Sequence, residues 1–336
     1  MTAKIRLAEG GGGEATSNLI QKVFWSRFQH PELLKGNDAA VINCPGRRLA
    51  VSTDSFVVTP WRFPGGDIGK LAVCGTINDL TMMGAAPLGL TASFIIEEGF
   101  DLESLETIAQ SMADAAQEAE VPVITGDTKV VNKGAADGIF INTTGVGTVE
   151  PGVELGGEMA RDGDQVLITG TIGDHGAAVL MARGELGISS SLVSDVAPLN
   201  KLLFPIIKKY PTGIRVLRDP TRGGLAATLN EIARQSRVSI CLSEDKIPVK
   251  PEVKGVCGLL GLDHLYFANE GKAILICDPQ ITEAVIRLLR NNPLGKDAAA
   301  VGAVNARNPG LVSIRNEIGG ERILPMGSGE QLPRIC

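Results

Sequence analysis

Apolar residues recur along this chain with two distinct periods. Ile68, Leu71, Ala72, Gly75, Ile77 and Leu80 fall on one side of a helical wheel, so residues 67–84 predict a helix that Gly84 ends. Asp101 stands where an N-cap belongs, ahead of Leu102, Leu105, Ile108, Met112 and Ala116 at helical spacing. Another helix-like stretch runs through Leu19, Ile20, Val23 and Phe24. Shorter apolar runs predict strands at 39–43, 48–53, 88–97, 121–125 and 138–148. After a turn-rich passage at 151–164 the alternation resumes. Strands are expected at 165–169, 215–217, 238–242 and 272–277, and helices at 175–183, 199–210, 223–235, 253–260 and 281–290. The pattern predicts an α/β (α+β) protein of two domains, residues 1–155 and 156–318, followed by a polar tail at 319–336. Long crossovers favour parallel strands, whereas the Gly-rich passages allow antiparallel sheets covered by helices; periodicity leaves both open.

Length agrees with that division, because 336 residues exceed what one core comfortably holds. A net charge of −6 argues against a large nucleic-acid footprint. No apolar run approaches the roughly 20 residues of a membrane span, and no secretory segment is visible, so a cytoplasmic protein is expected. Six cysteines at 44, 74, 241, 257, 277 and 336 form no CxxC pair and no cluster with histidine, which disfavours a zinc site. The first five are expected to be structural thiols, several of them in apolar runs. The sixth ends the chain. Cys336 follows a polar, Gly-containing tail, so it is either a reacting group carried into a pocket or an incidental thiol on a frayed terminus.

Four aspartates sit at the edges of apolar runs: Asp38 in Gly36–Ala40, Asp54 in Ser52–Ser55, Asp79 in Ile77–Leu80 and Asp127 in Thr125–Lys129. Each alone suits a turn or cap. Together they suit a hard cation such as Mg²⁺, which takes oxygen ligands and bridges phosphates. No Walker A or Rossmann glycine motif occurs, but the run Gly10, Gly11, Gly12 and Gly13 could wrap phosphates through its backbone N–H groups or serve as a linker. Lys129, Lys272 and Arg222 are candidate phosphate partners, Arg222 lying just before an expected helix N-terminus. Glu270, in Asn269-Glu270-Gly271-Lys272, is either a proton acceptor or a turn residue, and His175 could titrate near neutrality.

These clusters in this order closely resemble the HypE family of hydrogenase maturation proteins. The resemblance is carried by Phe63-Pro64-Gly65-Gly66-Asp67-Ile68-Gly69-Lys70, Thr125-Gly126-Asp127-Thr128-Lys129-Val130-Val131, Gly173-Asp174-His175-Gly176, Asp219-Pro220-Thr221-Arg222-Gly223-Gly224, Asn269-Glu270-Gly271-Lys272 and the ending Pro333-Arg334-Ile335-Cys336. One departure is that Glu9 stands where such sequences often have histidine. The resemblance implies a PurM-like fold, shared with aminoimidazole ribonucleotide synthetase and selenophosphate synthetase, with an N-terminal domain that forms a homodimer through sheet pairing. It implies ATP and Mg²⁺ as cofactors. The carbamoyltransferase HypF would load Cys336, ATP would dehydrate the resulting thiocarboxamide to a thiocyanate, and the cyano group would pass to iron on the HypC–HypD complex.

On that resemblance Asp38, Asp54, Asp79 and Asp127 hold the metal. Gly10–Gly13, Thr53, Lys70, Asn78 and Asp127 bind nucleotide, and Cys336, Glu270, Lys129 and Arg222 perform the chemistry. Rival readings are another ATP-dependent enzyme of the superfamily or a nonenzymatic maturation scaffold. A selenophosphate synthetase would want a reactive cysteine among the N-terminal glycines, and none precedes Cys44.

Overall fold

A computed structural model describes residues 13–28, 30–184, 190–327, 332 and 334–336. In the first half, α1 (Gly13–Leu19) continues into a π-helical turn and is followed by α2 (Pro31–Leu34), β1 (Ala40–Cys44) and β2 (Arg47–Phe56). The short pair β3 (Arg62–Phe63) and β4 (Gly66–Asp67) leads into α3 (Ile68–Met82), β5 (Ala85–Glu97), α4 (Leu102–Ala119), β6 (Val123–Val131) and β7 (Ile139–Val149). The second half runs β8 (Gln165–Ile168), α5 (Asp174–Ala182), α6 (Asn200–Lys209), β9 (Ile214–Arg218), α7 (Gly224–Ser236) and β10 (Ser239–Ser243). Then come α8 (Pro251–Leu260), β11 (Ile274–Cys277), α9 (Thr282–Arg290), β12 (Ala299–Asn305), β13 (Val312–Arg315) and β14 (Glu321–Ile323).

The two-domain α/β expectation holds, and the question of strand direction is settled: both sheets are mixed but mainly antiparallel. The first has the order β1-β2-β7-β5-β6, with α4 making the crossover between its one parallel pair, β5 and β6. The second has the order β14-β13-β10-β12-β8-β11-β9, and its parallel pair is β10 with β13. Helices cover both faces of this second sheet. Val166, Ile168, Val216, Ile274 and Ile276 pack with Leu225, Leu229 and Ile232 of α7, while Leu167, Leu217 and Leu275 pack with α6 and α9. Strands enclosed on two sides read as continuous apolar runs, which is how β11 reads.

Among the described residues, the first sheet is covered by helices on one face only. Along β7, Ile139, Ile141 and Thr143 are buried, whereas Phe140, Asn142 and Thr144 on the other face are half-buried. α3 lies on the inner face with α4 beside it, and it is buried around nearly its whole circumference rather than along the single face its periodicity indicates. The reason is a second neighbour: Met82 belongs to the core of the second domain, and α3 also packs against α6. This helix is the wall shared by the two domains.

Candidate active site

The strands and loops around α3 bring several charged side chains onto it. Ser52 and Asp54 share the inner face of β2, and Ser52 Oγ donates to Asp79 Oδ2 at 2.5 Å. Asp38, ahead of β1, pairs with Arg218 at the end of β9, with Nε and Oδ1 2.7 Å apart, and Arg218 also donates to Glu231 Oε2 at 2.9 Å. Asp219 and Arg222 follow in the loop before α7, where Gly223 takes a left-handed φ of 79°. A Cβ on Gly223 would stand 3.8 Å from the Gly13 nitrogen, so the described end of the glycine run lies against this loop. Gly10, Gly11 and Gly12, with Glu9, lie outside the described residues.

Burial and mutual repulsion govern the titration of these acids. Burial lifts Asp79 well above the carboxylate range, and Asp219, Asp54 and Asp38 push it further. Asp219 is raised to about 8 by burial and by Asp38. Asp38 is raised to about 6, because its desolvation outweighs the pull of Arg218. Burial also raises Glu270, helped by Asp219, Asp195 and Asp54 and opposed by Arg222. Arg222 is held in its charged form first by Cys336 and then by Asp54, Glu270 and Asp79. Asp38, Asp54, Asp79, Glu270, Arg222 and Cys336 therefore form one electrostatic neighbourhood.

Cys336 reaches it because the tail is docked. The Val57 N–H donates to the Cys336 main-chain oxygen at 3.1 Å, and the Thr59 N–H to the Arg334 carbonyl at 3.2 Å. Arg183 also donates to that carbonyl, and Arg334 pairs with Asp137 and lies over the Phe140 ring. Ile335, 5% exposed, enters the core of the first domain, and Cys336 packs at its edge.

Several expected site residues stand elsewhere in the single chain. Asp127 pairs in register with Ser93 on the outer face of the sheet, three strand spacings or roughly 14 Å from β2, while Asp54 points inward beside Thr143. Asp127 and Lys129 are exposed and bonded to each other at 2.6 Å. Thr53 is also on the outer face, 2.9 Å from Thr144 Oγ1. Lys70 lines a cleft with Glu103, Glu106, Asp114 and Glu118, away from the carboxylates around Asp79. Asn78 is fully engaged in holding backbone: Oδ1 accepts the Leu199 N–H, and Nδ2 donates to the carbonyls of Ala197 and Glu270. Its place is behind the site.

Among the described residues, Asp38 Oδ2 and Glu270 Oε1 are buried with no hydrogen-bond partner. Among the described residues no three His, Cys, Asp or Glu side chains gather closely enough to hold a metal ion by themselves. Unrelieved carboxylate charge without a closed protein cage fits Mg²⁺, which keeps waters and takes phosphate oxygens along with one or two carboxylates.

Residues 36–149 match the family model for the AIR synthase related protein N-terminal domain, and residues 161–313 match that for its C-terminal domain. The chain is 51% identical over 332 residues to carbamoyl dehydratase HypE of Bradyrhizobium diazoefficiens, covering 99% of this chain and 96% of that one. The chain belongs to the HypE family of carbamoyl dehydratases. Carbamoyl dehydratase HypE of Escherichia coli K12 is 45% identical over 337 residues, covering 99% of each chain. Among solved structures, the hydrogenase maturation protein HypE in complex with ATP superposes with a TM-score of 0.83 at 46% identity, over 98% of this chain and 100% of that chain. The chain in a HypE–HypF complex gives 0.87 at 48% identity, over 91% and 98%. AaThiL complexed with AMPPCP and TMP, at 20% identity and a TM-score of 0.70, shares the fold.

Within this HypE-family site, sequence reasoning passed over Asp219 and Asp195. Asp219 carried a signal, an acid at the end of a buried strand and immediately before proline. Asp195 carried none: Ser194-Asp195-Val196 lies in an irregular segment, and its importance comes from bonding to the Glu270 N–H at 3.1 Å.

Proposed function

We propose that Cys336 carries a carbamoyl group as a thiocarboxamide and that the site around Asp79 dehydrates it to a thiocyanate with ATP. The docking of Cys336 beside Arg222, which also feels the charge of Glu270, is the observation that carries this reading. An amide oxygen is a poor leaving group. Its attack on the γ-phosphorus of ATP, with loss of the first N–H proton, gives ADP and a phosphorylated imidate that is still bound through sulfur and keeps one N–H. Loss of an N–H proton and departure of phosphate then leave S–C≡N. Arg222 stabilises the charge that grows on the transferring phosphoryl group. Glu270, in the deprotonated form that Arg222 favours, accepts the proton from nitrogen as the C≡N bond forms. Asp54 and Asp79, with the open oxygen of Asp38, would hold Mg²⁺, which supplies charge neutralisation at the phosphates. Tethering adds effective concentration, on the order of mM for a flexible linker, and docking adds orientation.

The same reading assigns the uncovered outer face of the first sheet to a second copy of this chain. Ile95 of β5 and Ile124 of β6 are exposed there, and among the described residues β6 is an edge strand with no further strand paired to it. Asp127, Lys129 and Thr53 would then contribute at the homodimer interface, Asp127 toward the metal and Lys129 toward phosphate or proton transfer. HypF is taken as the carbamoyl donor, since a relative is solved in a HypE–HypF complex. The cyano group is passed to iron on a HypC–HypD complex. A cytoplasmic setting accords with six free thiols and with the absence, among the described residues, of a helix long and apolar enough to cross a membrane.

Intact-mass measurement after incubation with HypF, carbamoyl phosphate and ATP tests the reading. Cys336 should gain about 43 Da and then lose about 18 Da as carbamoylation gives way to dehydration. A protein that hydrolyses ATP with neither mass change would overturn it.

A further inference from the structure

His175, at the start of α5, is fully buried with its ring edge-on to Phe63 at a centroid distance of 5.3 Å. Its Nε2 lies 2.7 Å from the Ile335 carbonyl oxygen, and its Nδ1 lies 2.8 Å from Ser194 Oγ. A carbonyl cannot donate, so Nε2 carries a proton, and in the neutral ring Nδ1 accepts from the Ser194 hydroxyl. Ser194 Oγ also accepts the Val196 N–H at 3.1 Å. That hydroxyl thus has one donor to satisfy it and one acceptor, the imidazole, for its own proton. The tautomer is fixed by its neighbours, and burial keeps the ring neutral by pushing its pKa down.

The residue after Ser194 joins the same strap to the segment that bears Glu270. Asp195 Oδ1 accepts the Glu270 N–H at 3.1 Å, Lys272 Nζ lies 3.3 Å from Asp195 Oδ2, and the Ala197 N–H donates to the Glu270 carbonyl at 3.5 Å. The two strands of backbone approach so closely that a Cβ on Gly271 would stand 1.8 Å from the Asp195 carbonyl oxygen. A continuous set of contacts therefore runs from the peptide just before Cys336, through His175, Ser194 and Asp195, to the peptide of Glu270. Arg334 fixes the tail one residue earlier, its side chain on Val57 and Asp137 of the first domain and its carbonyl on Arg183 at the end of α5, but neither contact leads on to Glu270.

We propose that His175 is a positioning residue for the dehydration: with Ser194 it latches the docked tail and sets Cys336 in register with Glu270. This rests on the reading of Cys336 as the carrier. A neutral, single-tautomer hydrogen bond suits a tail that must dock for one step and leave for another, because breaking it strands no buried charge.

The test compares wild type, His175→Ala and His175→Gln by peptide-resolved N-ethylmaleimide labelling of Cys336 at one pH. It also measures ATP binding and the dehydration rate of protein already carbamoylated on Cys336. Labelling follows the population of the opened tail, so His175→Ala should raise it by roughly tenfold or more. Dehydration should slow by a similar factor with ATP affinity within about twofold, a change confined to the reacting complex. His175→Gln, whose amide N–H can meet the Ile335 carbonyl, should recover most of both. Wild-type labelling and turnover in folded His175→Ala protein would overturn the latch. Should that variant fail to fold, nitrogen NMR of the histidines decides. The His175 signals should report an Nε2–H ring and should move when residues 333–336 are removed; signals that stay in place would overturn it. Wild-type protein with a protected Cys336 that forms no thiocyanate would refute the carrier reading while leaving the latch intact.

Discussion

Asn78 is the residue at which stability and catalysis should fail together. From the buried face of α3 it accepts the Leu199 N–H at 2.8 Å and donates to the carbonyls of Ala197 at 3.1 Å and Glu270 at 3.3 Å. All three partners belong to the second domain, so one amide closes the seam behind the site. Asn78→Ala deletes three neutral hydrogen bonds, each worth about 0.5–1.5 kcal/mol net, and leaves a buried N–H without its acceptor; the expected loss is about 3–4 kcal/mol. Asn78→Asp separates hydrogen bonding from volume. It keeps the shape and the acceptor for Leu199, but it sets a carboxylate oxygen against two carbonyl oxygens where Asp219, Asp54 and Asp38 already repel charge on Asp79. The aspartate variant should therefore be at least as unstable as the alanine variant. Urea unfolding at fixed protein concentration, followed by far-UV circular dichroism, reads both losses as midpoint shifts. Release of the Glu270 peptide should also slow dehydration more than it weakens ATP binding. An alanine variant within about 1 kcal/mol of wild type, or an aspartate variant clearly more stable than alanine, would refute this assignment.

Replacing Cys336 by alanine should abolish thiocyanate formation while ATP binding stays within about twofold, measured by calorimetry beside intact-mass analysis. Arg218→Ala should cost about 3–5 kcal/mol, because Asp38 and Glu231 lose their shared buried cation, and Arg218→Lys should recover little because one ammonium cannot reproduce the fork; denaturant midpoints check both. His175 has a folded pKa below its ordinary 6.5, burial outweighing the opposing charge of Asp195, so the stability gained from the neutral ring is present above 6.5 and lost as pH falls through the folded value. The thermal-midpoint advantage of wild type over His175→Gln should narrow on acidification, and widening would contradict the sign. If Asp127 acts across a homodimer, inactive Asp127→Ala and Cys336→Ala chains exchanged together should recover roughly a quarter of wild-type activity, since half the dimers then hold one complete site; no recovery in proven mixed dimers would place Asp127 outside the shared site.

The amphipathic elements were legible because one period and one cap sufficed. Asp101 accepts the Ser104 N–H at 2.8 Å as an N-cap should, and α4 buries Ile108, Met112 and Ala116. α3 was only half legible. Thr76, Asn78 and Thr81 interrupt its apolar pattern, yet all are buried and satisfied, Thr76 by Thr143 at 2.6 Å and Thr81 by the Ile77 carbonyl at 2.7 Å. β12 was passed over because Ala299-Ala300-Val301-Gly302-Ala303 has little strand propensity and is ordered by its neighbours β10 and β8. The aspartates show the same limit at the site. Asp54 and Asp127 both lie at strand positions, and only the register, with Thr143 for one and Ser93 for the other, sends them to opposite faces.

For Cys336 the residues alone left a reacting thiol and an incidental one both open. Ile335, between Arg334 and Cys336, is the apolar side chain that carries the tail into the first-domain core. Burying one such side chain contributes about 1.5–3 kcal/mol, a bias of roughly ten- to a hundredfold toward docking. That is enough to keep Cys336 beside Arg222 for most of the time. It is also small enough for a partner's binding energy to reverse, as a cysteine serving both a donor and a dehydration site requires.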